Sequence, residues 1–142
     1  VPIWYGNPNL ASLRAAVNDT LVTHLGIELV GITDHQMTAR MPVDARTRQP
    51  YGILHGGASV ALAETLGSAA SALCVDPDRY KVSGIEVNAN HIRAVSGGWI
   101  HGCCQPLHIG RSMHVWDIRL HDDSGKLVCI ARLTVAVLEH RR

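Results

Sequence analysis

The chain has 142 residues, enough for one domain around a single core, with 46% hydrophobic and 18% charged residues and a formal net charge of +1. That balance excludes a disordered chain and a nucleic-acid footprint made by bulk positive charge, while the low charge density leaves surface for burial between subunits. No apolar run reaches membrane-spanning length without interruption, and no signal-peptide pattern opens the chain. Four cysteines (Cys74, Cys103, Cys104, Cys129) show no C-x-x-C spacing and lie in apolar or strand-like runs. They read as reduced, buried thiols of a cytoplasmic protein.

Residues 1–8 carry Trp4, Tyr5 and two prolines and form an irregular lead-in. Asn9 offers a helix cap, and Leu10, Leu13, Val17 and Leu21 follow at near-helical spacing, so a short outer helix is expected over about 9–21. Strands are expected at Gly26–Thr33 and Gln36–Val43, turned by Gly31–His35. The polar run Asp44–Pro50 is a loop that delivers the next element. After a break at Asp76-Pro77-Asp78, all that remains is strand. Val82–Val95 alternates, with Ile85, Val87 and Ala89 on one face and Glu86, Asn88 and Asn90 on the other. Trp99–Pro106 and Met113–His121 follow, and Asp122-Asp123-Ser124-Gly125 is a hairpin signal. Lys126–Leu138 is apolar on both faces, the pattern of a central strand covered on both sides.

Between the two strand groups lies QPYGILHGGASVALAETLGSAASAL, Gln49 to Leu73. Its apolar, alanine-rich part predicts a helix over about 56–74, buried on most sides. The Gly56-Gly57 pair permits close backbone approach and leaves the first N–H groups of the helix free for a ligand. Glu64 lies about two turns inside, where an unpaired carboxylate is unfavourable. A purely structural role would pair it with Arg40, Arg46 or Arg132; a functional one makes it a reactive acid. Ser68 follows four residues on, along the same helical face. One long apolar helix and six strands make an α+β domain in which a curved antiparallel sheet wraps around the helix. A single domain spanning 1–142 is expected.

The stretch QPYGILHGGASVALAETLGS, with GIEVNANHIR and PLHIGRS after it, closely resembles the hotdog-fold acyl-CoA thioesterases. The likeness is to the group with the Arthrobacter-type 4-hydroxybenzoyl-CoA thioesterases, and within it to hydrolases of 1,4-dihydroxy-2-naphthoyl-CoA in menaquinone synthesis and to the proofreading thioesterase of enterobactin synthesis. It runs from about Leu25 to Leu138. The resemblance implies that Glu64 acts as nucleophile or as general base, and that the Gly56 amide polarises the thioester carbonyl. Gln49 and His55 would orient the thioester or acyl ring, with His55 also able to protonate the leaving thiol, and Ser68 would bond Glu64 or the attacking water. Coenzyme A is implied to lie against Gly84, against His91, Ile92, Arg93 and Ala94, and against His108, Ile109, Gly110, Arg111, Ser112 and Met113. Arg93 and Arg111 would meet its phosphates. The group pairs two hotdogs edge to edge, with the site shared between chains, and joins dimers into tetramers.

The resemblance implies an acyl-CoA substrate, with an acyl or aryl carrier protein as the alternative carrier and neither a nucleic acid nor a membrane as partner. Two other classes compete on the same scaffold: a non-hydrolytic acyl-CoA-binding protein, which would lack the acid, and a dehydratase. No cofactor is expected beyond the CoA of the substrate. Nine histidines raise the question of a metal, but His108, His114 and His121 differ in strand parity and no H-E-x-x-H is present, so no metal site is expected.

Overall fold

Six antiparallel strands carry the chain's period-two apolar pattern, and one long helix covers the face they bury. A computed structural model describes residues 1–141; Arg142, the last residue of the expected domain span, lies outside the described residues. The elements are α1 (Leu10–Ala16), α2 (Leu21–His24), β1 (Glu28–Ile32), β2 (Met37–Pro42), α3 (Gly56–Leu73), β3 (Tyr80–His91), β4 (Trp99–Ile109), β5 (Met113–His121) and β6 (Leu127–Glu139). The sheet order is β1-β2-β4-β5-β6-β3, so β1 and β3 are its open edges. No helix among the described residues is long and apolar enough to cross a membrane.

The sheet-facing side of α3 holds Ala58, Leu62, Ala63, Leu66, Gly67 and Ala70, all buried. Against it lie Met37, Met41, Ile100, Trp116, Ile118, Leu120, Leu133 and Val135 from four strands. Gly67 sets how closely helix and sheet approach, because a Cβ there would lie 2.5 Å from Leu133 Cδ2. Most of the bulk comes from the strands, while the helix contributes Leu62 and Leu66 between small residues. The expected α+β hotdog architecture is what the chain adopts.

Four sequence expectations need correction. The outer helix is two short helices, because Asp19 takes a left-handed φ of 58° and Thr20 then caps α2. Ile85 does not share a face with Val87 and Ala89: the β3–β6 register shifts between Gly84 and Glu86, and the bulged Ile85 is 61% exposed. β6 is paired on both edges, but its Ile130, Thr134 and Ala136 face is only half-buried in this chain. Nor is α3 buried on most sides: Val60, Ala61, Glu64, Thr65, Ser68 and Ala69 line an open cavity. Cys104 and Cys129 are buried, Cys74 and Cys103 half-buried, and all four are free thiols. Burial raises every one of them, Cys74 and Cys104 to about 12, so none is poised as a thiolate.

Candidate active site

The loop into α3 is tied by its own backbone. Thr47, buried, donates from Oγ1 to Pro42 O at 2.7 Å and accepts from Asp44 N at 3.1 Å. Asp44 clasps Arg46 at 2.7 Å, and that guanidinium contact lowers its carboxyl to about 2. Gln49 N donates to Ile53 O at 2.8 Å, and Gln49 Oε1 accepts from Tyr51 N. The side-chain carbonyl of Gln49 is therefore occupied, leaving its amide NH2 to donate outward. His55 N donates to Thr47 O at 2.8 Å, fixing where the helix begins.

His55 is the N-cap of α3, and its Nδ1 accepts from Gly57 N at 2.7 Å. Of the two amides expected to be free, Gly57's is thus taken. Gly56's has no partner among the described residues. Accepting at Nδ1 places the proton of neutral His55 on Nε2, at an exposed position. Gly56 lines a cavity of about 290 Å³ with Gln49, Ser59, His91, Ile92, Arg93 and Ala94. The His91 ring stacks so closely that a Cβ on Gly56 would lie 2.9 Å from its Nε2. An unpartnered N–H at the start of an 18-residue helix, beside a donor amide and an arginine, is suited to negative charge.

Glu64 opens on a different cavity. This one is about 640 Å³ and is lined by Glu64, Thr65, Ser68 and Gly57 together with apolar residues of α1, α2 and β1. The carboxylate rests over Gly84, where a Cβ would come within 3.0 Å of Oε2. The structural pairing weighed for Glu64 is not made, since Arg40 binds Glu28 and Arg46 binds Asp44, each at 2.7 Å, and Arg132 lies exposed on β6. Of the two partners expected for Ser68, Glu64 or the attacking water, Glu64 is not bonded to it, although both line the same cavity. Thr65 turns its hydroxyl back to Ala61 O at 2.7 Å.

Gly56 and Glu64 are eight residues apart, so about 12 Å separates them along the helix axis. That exceeds the reach of one carbonyl group, and within a single chain they cannot act on the same thioester. The two expected CoA segments are also apart. His91 is level with Cys129 of β6, whereas Met113 is level with Ala136, beside the row that joins Gly84 to Val135. Seven residues of β3, roughly 23 Å, separate those levels. His108–Met113 forms the tip of the β4–β5 hairpin, closed by Gly110 N donating to Met113 O at 2.8 Å. The structure therefore gathers Gln49, Gly56 and His91–Ala94 into one place, Glu64, Ser68 and Gly84 into a second, and His108–Met113 at the hairpin tip.

Sequence reasoning placed Leu13, Val17 and Leu21 on an outer helix without giving them a part in the site, and did not name Val22; all four line the Glu64 cavity. Their helical spacing was visible, but nothing in it indicated which surface they would face. Ser59, fully buried beside Gly56, was also unremarked.

A curved antiparallel sheet around one helix, with a glycine pair at the helix start and an acid two turns on, defines a hotdog-fold hydrolase. The chain belongs to the thioesterase superfamily, whose family model matches residues 51–129, and it is a thioester hydrolase of that class. It is 50% identical over 136 residues to the proofreading thioesterase EntH of Cronobacter turicensis, covering 96% of this chain and 98% of that one. It is 46% identical to the 1,4-dihydroxy-2-naphthoyl-CoA hydrolase of Escherichia coli, covering 96% and 99%. The crystal structure of a glutamine-to-alanine variant of thioesterase PA1618 from Pseudomonas aeruginosa superposes with a TM-score of 0.95 at 50% identity, over 97% of this chain and 99% of that one.

Proposed function

We propose that the protein hydrolyses the thioester of an aromatic or medium-chain acyl-CoA, in a site that two copies of the chain complete together. The observation that carries this is the separation of the unpartnered Gly56 amide from the Glu64 carboxylate, each in its own cavity of one chain. β3 is an open sheet edge. Antiparallel pairing of two β3 strands about a two-fold near Val87 and Asn88 would set Gly84 of one copy near His91 of the other. That would bring the Glu64 cavity of one chain to the Gly56 cavity of its neighbour, and would close the edge. A dimer of such dimers agrees with the half-buried outer face of β6.

In this reading the Gly56 N–H and the Gln49 amide donate to the thioester oxygen, where negative charge grows as the carbonyl is attacked. Glu64 either takes a proton from water as it adds, or itself forms the C–O bond of an anhydride that water then opens. The C–S bond breaks with its electron pair leaving on sulfur, and His55 Nε2–H can protonate the thiolate. Ser68 holds the water or acyl group in the Glu64 cavity. Arg93 and Arg111 bind the CoA phosphates, with His91, Ile92, Ala94, Gly84 and the His108–Met113 tip as its walls. No metal or redox cofactor takes part. The E. coli relative's name favours a 1,4-dihydroxy-2-naphthoyl-CoA-like substrate, and so a place in menaquinone synthesis; hydroxybenzoyl-CoA is the nearest alternative. The EntH relative's name favours a second reading, in which the enzyme clears misloaded acyl groups from a carrier protein. The free thiols fit a reducing, cytoplasmic compartment.

Release of free thiol from 1,4-dihydroxy-2-naphthoyl-CoA, 4-hydroxybenzoyl-CoA, a medium-chain acyl-CoA and an aryl-loaded carrier protein tests the reading. Preference for an aromatic CoA is expected, and Glu64→Gln should lower turnover about 10²–10⁴-fold with CoA binding kept. Unchanged turnover in Glu64→Gln would overturn the mechanism. A non-hydrolytic binding protein would bind CoA and release no thiol.

A further inference from the structure

The Glu64 cavity has an unusual division of labour between its walls. On one side α3 supplies the carboxylate, the Ser68 hydroxyl and small residues; on the other stand Leu13 of α1, Val17 at its C-cap, and Leu21 and Val22 of α2. Neither α1 nor α2 contains a fully buried residue: Leu13 and Val22 also pack against the edge of the core, whereas Val17 and Leu21 face the cavity without joining it. Leu21, which also lines the cavity, is 63% exposed. The two helices are held in place from outside the cavity: Arg14 donates from Nε and Nη2 to Leu29 O on the β1 edge, at 3.0 and 2.8 Å. Thr20 bonds back to Val17 O across the Asp19 turn.

Charge narrows what can lie there. Among the described residues lining the cavity, Glu64 is the one charged group, and no cation faces it. Thr65 has spent its hydroxyl on Ala61 O, whereas Ser68 makes no bond to another described residue, so one hydroxyl remains to read a polar substituent. A second carboxylate in this cavity would meet Glu64 with nothing to neutralise it.

We infer that α1 and α2 form the specificity wall of the acyl pocket, with Val17 and Leu13 setting the acyl length accepted, and that the pocket takes uncharged acyl groups and rejects those ending in a carboxylate. This rests on the thioesterase reading above. The cavity's volume of about 640 Å³ lies within the usual range of small-molecule sites, ~300–1,000 Å³. It has room for a bicyclic ring or a medium chain between Glu64 and the helix pair.

The test titrates the intact protein with non-hydrolysable S-alkyl-CoA thioethers carrying two-, six- and ten-carbon chains and a naphthylmethyl group, and with a six-carbon thioether ending in carboxylate. Val17→Trp is expected to weaken the ten-carbon and naphthyl ligands at least about tenfold while leaving the two-carbon ligand within about twofold. Val17→Lys should strengthen the carboxylate-ended ligand relative to its neutral six-carbon counterpart. Ala15→Trp, on the exposed side of α1, should change neither series. Equal losses for all ligands in Val17→Trp, or none, would overturn the wall; so would tight binding of the carboxylate-ended ligand to the unmodified protein. Binding is read without turnover, so a protein that hydrolyses nothing would refute the thioesterase reading separately.

Discussion

Ser71 sits on the sheet-facing side of α3 with no exposed surface, and its Oγ accepts from Trp116 Nε1 at 2.6 Å while meeting His114 Nδ1 at 3.0 Å. Indole can only donate, and with the neutral imidazole protonated on Nε2 the Ser71 hydroxyl donates to His114 Nδ1, whereas with the proton on Nδ1 Ser71 accepts from both rings. Ser71→Ala strands an indole N–H and an imidazole nitrogen in the core. Each buried group left unpaired costs about 1–3 kcal/mol, so the expected loss for the two is about 2–6 kcal/mol out of a total near 5–15 kcal/mol. At about 2–4 °C per kcal/mol for a chain of this size, Tm should fall by roughly 4–24 °C. Urea unfolding at pH 8 reads the same loss as a lowered midpoint with unchanged slope. Burial, and then the nearby His108, lowers the His114 imidazole below its ordinary 6.5. The unfolded chain therefore binds the extra proton first. Stability is whole above about pH 6.5 and declines as the pH falls from there toward the folded-state value, by at most about 1.4 kcal/mol per unit. His114→Phe should flatten that part of the pH profile. A Ser71→Ala loss under about 0.5 kcal/mol, or an unchanged acid slope in His114→Phe, would refute the reasoning.

Gly84→Ala puts a methyl 3.0 Å from Glu64 Oε2, so thiol release should fall about tenfold or more while Tm moves by no more than a few degrees. Gly67→Ala forces a methyl to within 2.5 Å of Leu133 Cδ2; overpacking of about 1–3 kcal/mol should outweigh the helix propensity gained, and calorimetry should show a lower Tm. Sedimentation at working concentration should find a dimer or tetramer, and a monomer with full activity would refute the shared site. Replacing Val87 with proline, on the open β3 edge, should shift the assembly toward monomer and abolish thiol release together.

Much of the fold was legible because the chain keeps its two periods apart. The strand-period runs at Met113–His121 and Gln36–Val43 led directly to β5 and β2, and the small-residue run after Gly56 led to α3. The misreadings each have a local cause that pattern alone does not carry. A bulge at Ile85 reverses strand parity without changing composition, and a single left-handed Asp19 splits a helix whose apolar spacing continues across the break. Glu64 was conspicuous as the one acid on an apolar helix. The cap that consumes the Gly57 amide was not, because a histidine at the N-cap position reads equally as a functional side chain.

In the proposed site, the separation of Gly56 from Glu64 would let one helix serve as both core and reactive element. Its sheet-facing side is committed to packing, so reactive groups can lie only at its N-terminus and on its outer face. Those two places cannot meet within one chain, because helix rise fixes them about 12 Å apart. The proposed two-fold pairing would remove the conflict without loosening the core: each α3 would contribute its amide to one site and its carboxylate to the other. In that reading Val17 and Leu21, which lie outside the core, could vary the acyl wall without disturbing the helix end proposed to polarise the carbonyl. Substitutions at Val17 should therefore alter which acyl group is accepted, whereas substitutions at Gly56 should slow every substrate alike.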